Sequence, residues 1–302
     1  IVPLIGSKEG LSHLAFAYVG PGDATIIPDP GYNAYRGGTL LAAGDPYLYA
    51  ITPRTNFLVD LDDVPADVLR RTRILYLNYP NNPTGAIAPM DYLERVVRRC
   101  RELDILLVYD NAYSEMTFDG YVAPSIFDVD GARDVAIEFH SFSKTFNMTG
   151  WRCGWVVAPK AVVSAANALQ SHETSNVNSI TQKAAVAALT SSQACVDDMR
   201  AIYKQRRDQV LEWLREEPRF VCAVPKGAFY LYPTVDQFLS PKGAPTAPEK
   251  VFLAGSSVRR SVCHLPGSSL RMTSHFAPLR NANSVALTLA STASDAITPR
   301  PR

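Results

Sequence analysis

The chain has 302 residues, 47% of them hydrophobic and 20% charged, and its 30 Lys and Arg against 29 Asp and Glu leave a formal charge of +1. This is a globular composition, which excludes a disordered or collagen-like bulk, and the balanced charge gives no basic excess for nucleic acid or an anionic membrane surface. The length suits roughly two domains, and no apolar run approaches the ~18 residues of a membrane helix.

The chain opens at Ile1 with neither the basic start nor the apolar stretch of a signal peptide, which reads as a fragment or a processed chain. Gly6–Leu14 (GSKEGLSHL) leads into a helix. Its free N–H groups, near Ser7 and Lys8, and its dipole suit a phosphate, although an ordinary helix cap has the same look. Ala24–Pro28 predicts a strand, followed by the turn Pro28–Tyr35 (PDPGYNAY). Tyr32 in that turn either packs or stacks on a planar ring. Arg73–Asn78 is a second strand and stops at Asn78–Gly85 (NYPNNPTG). Asn, Pro and Gly make this a turn, and a turn at a strand's carboxyl end can aim Asn82 at a ligand.

Met90–Leu103 carries Leu93, Val96, Val97 and Cys100 at helical spacing, with charges between them. Asp104–Tyr109 is almost continuously apolar, as a strand buried on both faces should be. It runs into Leu107–Glu115 (LVYDNAYSE), where Asp110 ends the strand. A carboxylate there needs a partner. Either it caps a helix or it pairs with a pyridinium nitrogen and keeps it protonated, with Tyr113 three residues on. Val135–Phe139 predicts the next strand and delivers His140–Arg152 (HSFSKTFNMTGWR). An isolated S-x-S-K is usually a solvated loop, but Lys144 is one of only eight lysines and sits at a strand exit. Ser141 and Arg152 can together hold a phosphate, and a lysine beside a phosphate site is what a covalently held phosphorylated aldehyde requires. Gly154–Val157 is a further strand.

Strands alternating with helices predict parallel crossovers in an α/β sheet covered on both faces, with ligands beyond the carboxyl ends of the strands. From about Ser191 the character changes. A charged helix runs through Met199–Leu214, and Lys226–Val235 reads as a strand of a smaller second domain. Ser261–Leu289 has weak periodicity and Ser291–Arg302 reads as disordered. Cys100, Cys153, Cys195, Cys222 and Cys263 are scattered and form no C-x-x-C pair. Neither a disulfide framework nor a zinc site is expected, and a reducing cytoplasm fits.

Taken in order over Gly6–Tyr232, these motifs resemble the fold-type I aminotransferases that use pyridoxal 5′-phosphate. Within them, YDNAYSEMTFDGYVAPS and IEFHSFSKTFNMTGWRCGW are most similar to the LL-diaminopimelate aminotransferases. The resemblance implies a three-layer α/β/α, mostly parallel sheet over residues 1–190 and a smaller, incomplete α+β domain over residues 191–302. It implies that Lys144 forms a Schiff base with the cofactor and that Asp110 pairs with its ring nitrogen. Tyr113 and Asn82 would bond the ring hydroxyl, and Tyr32 would stack on the ring. Ser141, Arg152 and the amides near Ser7 and Lys8 would hold the phosphate.

The same resemblance implies a homodimer and transfer of an amino group from an amino acid to a 2-oxo acid such as 2-oxoglutarate. LL-2,6-diaminopimelate is the donor it favours, which places the chain in lysine and diaminopimelate synthesis. An alanine- or aspartate-type aminotransferase, a pyridoxal phosphate-dependent lyase and an inactive remnant stay open. Family members carry a long segment ahead of the GSKEGL motif that this chain lacks. Near the other end, Pro266–Gly267 fits the family's turn, which makes Arg280 the candidate for the substrate carboxylate, with Arg271 second.

Overall fold

A computed structural model describes residues 1–234 and the short strands Ser261–Cys263, Met272–Ser274 and Leu287–Thr288. Two compact units divide the chain, one formed by Ile1–Arg200 with Lys226–Ala228 and the other by Ala201–Pro225 with Phe229–Arg302.

The first unit begins with β1 (Val2–Leu4), α1 (Ser7–Tyr18), β2 (Ala24–Asp29), α2 (Asn33–Leu41) and β3 (Asp45–Ala50). It continues through α3 (Ala66–Arg71), β4 (Thr72–Leu77), α4 (Met90–Leu103) and β5 (Leu106–Asp110). Next come β6 (Ala136–Ser141), the single turn α5 (Phe142–Thr145), β7 (Gly154–Val157), α6 (Lys160–Glu173) and α7 (Ser179–Thr190). The seven strands form one sheet in the order β1-β7-β6-β5-β4-β2-β3. The four pairings from β6 to β3 are all parallel.

The mostly parallel α/β sheet expected from the sequence is therefore what folds, with one difference at its edge. β7 runs antiparallel to β6, and β1 antiparallel to β7. Only Phe142–Cys153 separates β6 from β7, and that stretch is spent on α5 and a second tight turn at Thr149–Trp151. With those two turns taking up its twelve residues, no helical crossover fits there, and the chain doubles back.

Alternation sorts the two sheet faces. Ile27, Ile74, Tyr76, Val108, Ile137, Phe139 and Val156 face one core together with Leu11 and Leu14 of α1, Tyr35 of α2 and Val162 of α6. The intervening Leu75, Leu77, Leu107 and Tyr109 are equally buried. On their side Tyr79 at the β4 exit meets Tyr92 of α4 edge-on, at 6.0 Å between ring centres. α4 buries Tyr92, Leu93, Val96, Val97 and Cys100 and turns its charges outward, then stops at Asp104 in the left-handed conformation.

β1, α2, β3, α3, α6 and α7 are among the elements that the sequence reading did not mark, β3 and α2 for identifiable reasons. β3 is an edge strand, exposed along much of its length, and so lacks an apolar run. α2 begins inside the segment that reads as a turn.

In the second unit, the helix α8 (Ala194–Glu216), which begins in the first, buries Val210 and Leu211. Arg207 is buried, donating to the Pro225 carbonyl at 3.0 Å and pairing with Asp208. β8 (Tyr230–Leu231), β9 (Ser261–Cys263), β10 (Met272–Ser274) and β11 (Leu287–Thr288) form a second sheet in the order β8-β11-β10-β9. The strand expected over Lys226–Val235 is thus regular only at Tyr230–Leu231, flanked by single bridges at Gly227 and Thr234. Val235 and Ser291–Arg302 lie outside the described residues. Among the described residues no helix is long and apolar enough to cross a membrane.

Candidate active site

Asp110 is the last residue of β5, a strand buried on both sides of the sheet. It is 3% exposed and stands opposite Phe139 of β6. Its backbone carbonyl accepts from Asn78 Nδ2 at 2.6 Å, and its Oδ2 accepts from Tyr35 Oη at 2.7 Å. Oδ1 is buried and has no hydrogen-bond partner among the described residues. Burial pushes the carboxyl up to about 6, against the pull of the Tyr35 hydroxyl and of nearby His140 and Lys144. A half-satisfied buried carboxylate is costly unless a donor arrives at Oδ1. A protonated ring nitrogen is such a donor.

Lys144 lies on α5, directly beyond β6. Burial lowers its pKa, the charge of Asp110 pulls it back up, and Arg152 adds to the lowering. Its Nζ stands 5.9 Å from the ring centre of Tyr113, which is itself buried. Tyr32, at the N-cap of α2, is half-buried; burial raises its hydroxyl, and it also feels Asp110 and Arg152. Lys144, Asp110, Tyr32, Tyr113 and Arg152 therefore share one site. A Cβ on Gly31 would stand 2.2 Å from the Pro28 carbonyl oxygen, so the turn that delivers Tyr32 needs glycine there. Asn82 is tied in at one remove. Its backbone N–H donates to Asn78 Oδ1 at 2.7 Å, and the same Asn78 amide holds Asp110.

The second half of the site forms where three strands and a helix meet. In the edge ladders Gly154 stands opposite both Ser141 of β6 and Leu4 of β1. A Cβ on Gly154 would be 2.8 Å from the Ser7 nitrogen, so this glycine lets the start of α1 approach the sheet. Gly6 caps α1 at φ 75° with no side-chain hydrogen bond, and a Cβ there would lie 2.5 Å from Arg152 Nη2. Arg152, itself at φ 55°, donates Nη1 to the Thr149 carbonyl at 3.1 Å and pairs with no carboxylate among the described residues. Ser141 is buried, and its Oγ accepts from the Ser143 N–H at 3.2 Å. Lys8 Nζ reaches over the Tyr32 ring at 5.7 Å. The first amides of a twelve-residue helix, an arginine and a serine hydroxyl at one point make an anion cradle.

Two residues that support this arrangement carried no signal in the sequence. Tyr35 carries no reading of its own in the sequence and turns out to hold Asp110. Glu138 sits inside the apolar VAIEF run, 0% exposed. Its carboxylate accepts from Ser125 Oγ at 2.5 Å, Asn111 Nδ2 at 2.8 Å and the Ile126 N–H at 3.1 Å, and His140 Nε2 lies 3.1 Å away. Burial opposes its charge, but the bonds from His140, Asn111 and Ser125 outweigh that and leave the carboxyl below the usual glutamate range. Glu138 thereby ties the loop that follows Asp110 to the strand that leads to Lys144. Arg280, Arg271 and Pro266–Gly267 lie outside the described residues.

Residues 1–273 match the family described as aminotransferase class I and II. The LL-diaminopimelate aminotransferase of Desulforudis audaxviator is 46% identical over 235 residues, covering 78% of this chain and 60% of that protein. The LL-diaminopimelate aminotransferase of Moorella thermoacetica is 43% identical over 241 residues, with coverage of 78% and 60%. The chain thus spans about three-fifths of the length of these relatives. Among solved structures, a single mutant of Thermus thermophilus aspartate aminotransferase is similar with a TM-score of 0.80 and 28% identity, over 96% of this chain and 71% of that one. An aromatic aminotransferase from Pyrococcus horikoshii gives a TM-score of 0.80 and 27% identity, over 96% and 74%.

Proposed function

Because the chain belongs to the class I and II aminotransferases, we propose that it moves an amino group from an amino acid to a 2-oxo acid with pyridoxal 5′-phosphate as its cofactor. The observation that carries this reading is the buried Asp110, whose Oδ1 has no hydrogen-bond partner among the described residues. When bound, the cofactor supplies an aldehyde carbon for the amino group and a ring that takes up the electrons released at the substrate α-carbon.

The chain's own residues do the rest. Asp110 Oδ1 holds the proton on the ring nitrogen. Ser141, Arg152 and the amides of Ser7 and Lys8 hold the phosphate, with Gly6 and Gly154 giving them room. Tyr32 covers the ring face, and Tyr113 and Asn82 bond the ring hydroxyl. Lys144 would hold the cofactor, and its Nζ would take the proton from the substrate α-carbon. Burial lowers its pKa, which makes the neutral, basic form easier to reach.

The donor in this reading is LL-2,6-diaminopimelate and the acceptor 2-oxoglutarate, which places the chain in lysine and diaminopimelate synthesis. Support comes from the relatives named for that donor at 46% and 43% identity. Arg280 grips the substrate carboxylate and the chain works as a homodimer, both on the family resemblance, and a reducing cytoplasm suits its scattered cysteines. The large domain is residues 1–190 and the small one residues 191–302.

The test is the visible spectrum of the chain with pyridoxal phosphate, before and after LL-diaminopimelate. A band that shifts with this amino acid, together with product formation that depends on 2-oxoglutarate, is the expected result. A band that shifts only with alanine or aspartate would move the donor to those amino acids. Product formed without any 2-oxo acid would make the chain a lyase.

Gly6→Ala probes the phosphate cradle. The added Cβ would have to displace the Arg152 guanidinium, at a φ that also disfavours alanine. Charged hydrogen bonds are worth ~1.5–3 kcal/mol, so affinity for pyridoxal phosphate should fall by about tenfold or more. Affinity for pyridoxal, which has no phosphate, should hardly change. Equilibrium dialysis of both ligands reads the difference.

A further inference from the structure

Tyr35 has no part in the assignments above, yet it is firmly fixed beside Asp110. It is 1% exposed, in the first turn of α2. Its ring stacks on Tyr76 with centres 4.7 Å apart and planes 12° apart, and it meets the Tyr32 ring edge-on at 5.6 Å. Its backbone carbonyl accepts from Thr39 Oγ1 at 2.9 Å, and that hydroxyl lies 2.9 Å from Thr25 Oγ1 on β2. The phenol is thus held from the sheet below and from its own helix. Its hydroxyl then donates to one oxygen of Asp110 and not the other.

A carboxylate rotates easily about its last bond. One strong donor on Oδ2 stops that rotation, and with the Asp110 carbonyl held by Asn78 only Oδ1 is left to receive a ligand. We propose that Tyr35 is a positioning residue: it fixes the plane of the Asp110 carboxylate so that Oδ1 alone faces the ring nitrogen of the cofactor. The proposal rests on the pyridoxal phosphate reading.

Tyr35 also favours the ionised carboxylate, alongside His140 from β6, Lys144 from α5 and the Ala112 backbone N–H. Tyr32 and Tyr113 are the other titratable groups near this pair. Removing the hydroxyl therefore leaves the carboxylate free to turn and easier to protonate.

Tyr35→Phe keeps both ring contacts and deletes only the donor. Two measurements follow. Carbon-13 NMR of the Asp110 carboxylate in the cofactor-free protein, identified by its disappearance in Asp110→Asn, should show the titration midpoint rising by about one unit. Binding of pyridoxal phosphate at pH 7 should weaken by about tenfold. Binding of the analogue with carbon in place of the ring nitrogen should be the same in variant and wild type.

An unmoved carboxylate titration with unchanged affinity would overturn the proposal. Equal weakening of both ligands would overturn it too, since that is what a merely structural tyrosine does. A wild-type chain that binds neither ligand overturns the cofactor reading and takes the ligand half of the proposal with it. That case is distinct, because failure of Tyr35 alone leaves a wild type that binds and a variant that matches it.

Discussion

Asp110→Asn should make the cofactor-free protein more stable at pH 7 while nearly abolishing its activity. In the folded chain burial lifts the carboxyl to about 6, against an ordinary value of 3.8. Between these two values the unfolded chain has released a proton that the folded chain still holds. Stability therefore falls as pH rises through this window and stays lower above it. A shift of about two units corresponds to about 3 kcal/mol at neutral pH. Asparagine carries no charge to bury, fits the same space and still accepts from Tyr35.

Denaturant unfolding of the two proteins from pH 4 to pH 8 checks this. The variant's advantage should be near zero at pH 4 and open by pH 7; a gap independent of pH would show that Asp110 is not the group responsible. On the activity side, the amide nitrogen stands where Oδ1 stood, a donor facing a donor. Loss of a preorganised charge at a reacting centre costs on the order of 10²–10³ in rate. The protein thus keeps a destabilising carboxylate for the ligand it awaits.

Lys144→Ala should remove turnover by about 10⁴-fold, the upper end of what a positioned acid–base group supplies. The binding contacts lie elsewhere, in the anion cradle and at Asp110, so pyridoxal phosphate should still bind reversibly. Steady-state transamination and equilibrium dialysis separate the two effects. Substantial turnover by the variant would falsify the role given to Lys144. Lys8, at 5.7 Å over the Tyr32 ring, is an alternative amine to examine in that event.

What could be read from the sequence followed a physical rule. A buried strand that ends in a charged residue needs a reason, and so Asp110 after LLVY and Lys144 after VAIEFHS stood out. The cradle was legible in part. Gly6–Ser7 and Arg152 each had a recognisable pattern, but their meeting depends on the edge ladders through Gly154.

Tyr35 and Glu138 were silent for opposite reasons. A tyrosine in a helix and a glutamate in a strand are ordinary as residues; only partners 75 positions away at Asp110, or 27 away at Asn111, give them meaning. The direction of β7 was equally hidden, because four apolar residues look alike in either sense. It was set by the short connection before it.

β1 and β7 carry one more consequence. They pair although about 150 residues separate them, and that pairing helps bring the start of α1 to Arg152. At ~5–20 residues per second on the ribosome, β1 waits roughly 8–30 s for its partner to be made. Throughout that delay Val2 and Leu4, both fully buried at the end, have no ladder to join. Closing so long a loop is slow, so the anion cradle is expected to be among the last parts to assemble. Phosphate affinity recovered during refolding would then serve as a clock for the final step.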